Sequence, residues 1–169
     1  ITTSDSDGSI VNGNEYAIYG DLGYVDEDDV TTADRTTIVS AGEHDVSAGD
    51  VDGTFDADAD NIDIVGAEGA PTEDVSVTVG STFVQAGANV SGLTVSGLTL
   101  DGDQTALEVA SDSALDDLTI TNNRFVNLDT ATVIDASTAD DSLDNAEIAD
   151  NTFESTNEAG SAYTGISVS

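Results

Sequence analysis

The chain has no cysteine, no methionine, no tryptophan, one proline, one histidine and only two basic residues, Arg35 and Arg124, in 169 positions. Each shortage excludes something. Without cysteine there is neither a disulfide nor a thiolate zinc site. Without lysine, and with two arginines, the chain cannot make the phosphate contacts on which nucleic-acid affinity rests. An anionic lipid surface is excluded on the same ground. No apolar run approaches the roughly 20 residues that carry a helix across a bilayer, so direct membrane insertion is not expected. Helix signals are nearly absent as well.

What the sequence has in excess is acid. Aspartate and glutamate number 35, and the formal net charge is −33. Such a balance often marks disorder, but here 38% of residues are hydrophobic, and Val, Ile and Leu recur in alternation. The chain is therefore expected to fold. At low ionic strength its like charges repel and weaken the compact state; in molar salt the Debye length falls to about 3 Å and the repulsion fades. The composition resembles that of haloarchaeal proteins, which combine acid excess with near-absence of lysine. Opening on Ile1 rather than Met, the sequence is expected to have lost a leader or been trimmed.

The organisation is repetitive. Residues 115–127 read LDDLTITNNRFVN and residues 143–155 read LDNAEIADNTFES. Leu115 matches Leu143, Ile120 matches Ile148, Asn123 matches Asn151 and Phe125 matches Phe153, all at an offset of 28 (143 − 115). At an offset of 25, LTVSGLTL (93–100) falls on LTITNNRF (118–125), and IDIVG (62–66) follows the same pattern. A second series holds LEVA (107–110), IDAS (134–137) and ISVS (166–169). Apolar residues two apart lie on one face of a strand, and Gly, Asn or Asp falls where the chain must turn. A period of this size marks a solenoid. A β-sandwich is the main alternative, but it has no reason to reuse one strand-turn-strand text.

These features predict an all-β parallel β-helix over residues 35–169, with about five coils of roughly 26 residues stacked ~4.8 Å apart, and a β-prone extension over residues 1–34; the right hand comes with the resemblance that follows. Its interior is expected to contain stacks built on Leu93, Leu118 and the neighbours of Ile148, with Phe125 against Phe153, both buried. The text TTIVSAGEHDVSAGDV…NIDIVGAEGAP (36–71), VSGLTLDG and the two NN(R/T)F-like units resemble the right-handed parallel β-helix, or pectate-lyase-like, superfamily. They are similar in particular to the periplasmic copper-maturation-type repeats of many archaeal surface proteins. Asp150-Asn151 replaces Asn122-Asn123, so an asparagine ladder at that turn is expected to be short.

No catalytic constellation emerges. In the polysaccharide lyases of that superfamily acidic residues hold calcium and a basic residue takes the proton. Here Arg124 alone lies on a repeat unit, and next to an inward Phe125 it should point outward and pair with carboxylates. Glycosidases need two carboxylates, yet pairs such as Asp116–Asp117 and Asp140–Asp141 read as solvated loop charge. His44 reads as a surface residue. Asp56, Asp58 and Asp60 begin like a calcium loop, but Asn61 and Ala67 stand where an EF-hand needs Gly and Glu. They remain weak candidates for a divalent cation, and no other cofactor is expected. Asn89-Val90-Ser91 is a glycosylation sequon.

The reading that follows is a non-enzymatic extracellular structural or adhesive protein at the surface of a halophile. The segment EYAIYGDLGYV (15–25), with Tyr16, Ile18, Tyr19 and Tyr24, either caps its own coil or adds a strand to the next subunit. In the second case self-association runs head to tail into a filament. The alternatives are a carbohydrate-active or carbohydrate-binding β-helix protein, and a virion spike or fibre.

Overall fold

A computed structural model of the chain describes residues 15–19, 35–39, 42–45, 55–57, 59–78, 80, 82–87, 90–103, 105–109, 114–128, 132–136, 142–155 and 164–168. After β1 (Glu15–Tyr19), a first pass of the chain lays down β2 (Arg35–Val39), β3 (Gly42–Asp45) and β4 (Phe55–Ala57). A second contains β5 (Asp63–Gly66), β6 (Val75–Thr78), β7 (Val84–Ala86) and β8 (Val90–Ser91). The third has β9 (Thr94–Ser96), β10 (Thr99–Asp101), β11 (Leu107–Val109) and β12 (Ala114–Asp116). The fourth has β13 (Thr119–Thr121), β14 (Arg124–Val126), β15 (Thr132–Ala136) and β16 (Ser142–Asp144). The last is β17 (Glu147–Ala149), β18 (Thr152–Phe153) and β19 (Thr164–Val168).

Strands of successive passes pair in parallel and form four stacks. Sheet A runs β1-β2-β5-β9-β13-β17, sheet B runs β3-β6-β10-β14-β18, sheet C runs β4-β7-β11-β15-β19, and sheet D runs β8-β12-β16. The chain visits A, B, C and D in that order on every full pass. This all-β arrangement of stacked parallel sheets is compatible with a parallel β-helix or solenoid.

Register follows the repeat. Leu115 pairs with Leu143, Ile120 with Ile148 and Phe125 with Phe153. The series at offset 25 is realised too, with Val95 beside Ile120 and Leu100 beside Phe125. Leu107, Ile134 and Ile166 form one column of sheet C, as the second series of repeats implies. Alternation then decides which side chains meet. Ile64, Val95 and Ile120 line the interior of sheet A, Val77, Leu100 and Phe125 that of sheet B, and Val84, Leu107 and Ile134 that of sheet C. Leu93 and Leu118, with Ile62 before them, fill the corner between sheets D and A. Each fully buried side chain of this size contributes about 1.5–3 kcal/mol.

The corners explain why Asn, Asp and Gly recur. Among the described residues every non-glycine with positive φ is Asn or Asp: Asn61, Asp117, Asn122, Asn127, Asn145 and Asp150. Short polar side chains tolerate the left-handed conformation that other L-residues avoid. Glycine takes the same place at Gly92 and Gly97. Between sheets A and B later passes turn in two residues, whereas residues 67–74 form a longer loop with a 3-10 turn at Thr72–Asp74. The unequal periods therefore come from loops, while the strands keep their register.

Inside that A-to-B corner lies a short asparagine ladder. The Asn123 side chain is buried; its Oδ1 accepts from Leu98 N–H at 3.1 Å and its Nδ2 donates to Val95 O at 2.8 Å. One rung on, Asn151 Oδ1 accepts from Asn123 N–H at 3.0 Å, and its Nδ2 donates to Ile120 O at 2.7 Å. In the preceding pass the same place is held by buried Leu98, so the ladder is two residues long.

Candidate functional site

Arg124 sits on β14 immediately before inward Phe125, so strand alternation turns it outward. Its Nε donates to Glu154 Oε1 at 3.0 Å and its Nη2 to Oε2 at 2.7 Å. This is a two-pronged pair between neighbouring rungs, the geometry for which a planar guanidinium is suited. The hydrogen bond to Glu154, with the charges of Glu154, Glu73 and Asp101, raises the Arg124 pKa above its ordinary value. The same hydrogen bond holds the Glu154 carboxyl below the usual glutamate range. A guanidinium held this way stays protonated and cannot take up a proton near neutrality. Nearby, Thr72 ties the long loop down: its Oγ1 donates to Asn122 O at 3.3 Å and its carbonyl accepts from Thr99 Oγ1 at 2.9 Å.

Of the aspartates of 56–63, Asp60 and Asp63 each brace a different neighbouring strand. Asp56 lies on β4, beside Gln85 in register; Asp58 falls outside the described residues. Exposed Asp60 accepts from Ser91 N–H at 2.9 Å, so its carboxylate braces the next rung. Asp63 Oδ2 accepts from Thr36 Oγ1 at 3.1 Å. Among the described residues no group of three or more acidic, histidine or cysteine side chains is placed to hold a metal ion. Asp116 and Asp117 are exposed. His44 lies on β3, in register with Val77. Asn89, Tyr24 and the pair Asp140–Asp141 lie outside the described residues.

Tyr16, Ile18 and Tyr19 lie on β1, which pairs in parallel with β2 of the same chain, Tyr16 beside Thr36, Ile18 beside Ile38 and Tyr19 beside Val39. The extension thus supplies a further rung to sheet A, and β1 is the first strand of that sheet. At the other end β17, β18, β19 and β16 are the last strands of their sheets. There the burial pattern changes. Phe125 and Phe153 stack with ring centroids 4.9 Å apart and planes 18° from parallel, but only Phe125 is buried. Phe153 is partly exposed, which corrects the expectation of two buried rings: no rung beyond it covers its other face among the described residues. Ile148 is likewise half-buried, and Ile166 is 44% exposed although its column mate Ile134 is fully buried. Sequence periodicity marks all three as interior positions. It carries no signal for how far each is covered.

The features that stand out are therefore an acidic surface, one clamped arginine and an apolar strand edge on an all-β stack of parallel sheets. No known protein family, curated protein or solved structure matches the chain.

Proposed function

We propose that the chain is a right-handed parallel β-helix, akin to the pectate-lyase-like superfamily, that serves as a non-enzymatic structural or adhesive protein outside the cell of a halophile and self-associates end to end. The observation that carries this reading is the apolar edge at β17–β19, where Ile148, Phe153 and Ile166 stay partly exposed in positions that are buried one rung earlier. Exposed strand edges invite pairing with another chain, and a stack of parallel rungs needs caps or neighbours. The handedness rests on the strong right-handed preference of parallel crossover connections. The halophilic setting rests on the net charge of −33, which needs salt before copies can approach.

Sedimentation velocity and electron microscopy in molar salt, over a range of protein concentration, test the reading. Elongated oligomers that lengthen with concentration are expected. A protein that stays monomeric throughout would sink it.

A further inference from the structure

The end-to-end reading leaves open which strands meet, and the register of sheet A answers this. We propose that the free edge of β17 accepts β1 of a second copy of this chain, as a parallel strand continuing sheet A; the proposal rests on the self-association reading above.

Three observations point to this occupant. First, among the described residues no strand pairs with this edge. Glu147 N–H donates to Leu118 O at 2.7 Å and Ala149 O accepts from Asn122 N–H at 3.3 Å, so both residues bond back toward β13. Bonding direction alternates along a strand, so the N–H and C=O of Ile148 face away from the stack. Second, β1 already fits this sheet. It pairs in parallel with β2, and the register runs on through β5, β9 and β13 to β17. Translated along the stack, a second copy brings its Tyr16 beside Glu147, its Ala17 beside Ile148 and its Ile18 beside Ala149. Two of these three pairs, Ala17 with Ile148 and Ile18 with Ala149, set a small residue against a large one.

Third, charge and strand facing together favour this register. Glu15 then falls beside Ala146, and no two carboxylates are directly opposed. Sliding the incoming strand one residue forward sets Glu15 beside Glu147, a like-charge pair that destabilises a sheet, and sliding it by one residue in either direction inverts its faces. The contact joins unlike ends of two copies. It is heterologous and does not close.

The absence of cysteine makes a direct test available. Ile18→Cys and Ala149→Cys are made as separate single variants, mixed in molar salt and oxidised. Within one molecule the two positions lie five strand spacings apart, about 24 Å, far beyond disulfide reach, so a bridge can form only between copies. The expected result is a disulfide-linked heterodimer that far exceeds either homodimer and the product of a control mixture with Glu147→Cys. The double variant Ile18→Cys/Ala149→Cys should give a ladder of covalent oligomers. Oligomers without the selective cross-link would overturn this contact but leave end-to-end association standing; absence of oligomers would overturn both. Hydrogen exchange on dilute, monomeric wild-type protein supplies the second readout. Fast exchange at the Ile148 amide is expected. Strong protection there would mean that the protein's own chain covers the edge, and the proposal fails.

Discussion

Asn123 ties two successive rungs together. Its carboxamide satisfies the Leu98 N–H and the Val95 C=O of the preceding rung. Asn123→Leu reproduces the side chain found one rung earlier, yet leaves both groups buried without partners, at about 1–3 kcal/mol each. A loss of about 2–6 kcal/mol is expected from urea unfolding at fixed salt, and an unchanged midpoint would contradict the ladder. Asn122, next to it, has φ of 56°. Asn122→Gly should be nearly neutral, since Gly97 holds the equivalent corner, whereas Asn122→Val should lose about 1–2 kcal/mol to the left-handed backbone. Gly66 is constrained by space. A Cβ built there collides with the Gly97 carbonyl oxygen, so Gly66→Ala has to push two adjacent rungs apart, at a cost of about 1–3 kcal/mol in the same assay.

At the scale of the strand, neighbouring rungs communicate through columns. The Phe125–Phe153 stack sits at the junction of β14 and β18. Phe125→Ala empties a buried site and should destabilise by about 3–5 kcal/mol. Phe153→Ala should cost clearly less, because that ring is partly exposed. Equal losses would mean that something covers Phe153. On the outer face the Arg124–Glu154 pair links β14 to the residue that follows β18. Its pH dependence has a definite sign. The folded state lowers the Glu154 pKa, chiefly through the hydrogen bond from Arg124. Its contribution is therefore present above the ordinary glutamate value of about 4.3 and disappears as pH falls through the lowered folded value. Arg124 is shifted upward, so its contribution persists to strongly alkaline pH. The melting-temperature difference between wild type and Arg124→Gln should be level around neutrality and shrink on acidification below about pH 4. Because the pair is exposed, the difference should also shrink in high salt. A gap that grew toward low pH would contradict the assignment.

For the whole molecule, charge governs stability. With 35 acidic residues against two arginines, repulsion acts over about 30 Å in 0.01 M salt and over only about 3 Å at 1 M. The melting temperature should climb steeply with sodium or potassium chloride at constant pH, and circular dichroism should show loss of native structure on dialysis into dilute buffer without divalent ions. A full native spectrum there would remove the argument for a brine-adapted protein. Assembly should follow the same dependence, since two copies of charge −33 approach only when screened.

Much of this was legible in the residues themselves. Inward positions repeat every two residues within a strand and recur from rung to rung, so Ile120 over Ile148 and Phe125 over Phe153 could be aligned from text alone. The Asn, Asp and Gly corners were equally readable, because a left-handed turn is a local demand on the backbone. Arg124's outward direction follows from Phe125 beside it. Other features arise only when segments distant in sequence meet. That Glu154 is the carboxylate Arg124 grips, that Thr72 folds its loop over Asn122 and Thr99, and that Asp60 braces Ser91 all depend on loops of unequal length whose closure no local pattern encodes. Burial at the end of the stack is of the same kind. Ile148 and Phe153 carry the same periodic signal as Ile120 and Phe125, and the sequence alone determined that they are interior residues. Only the tertiary structure decided that they stay partly exposed, because burial depends on what packs across each face and alternation within a strand does not encode that.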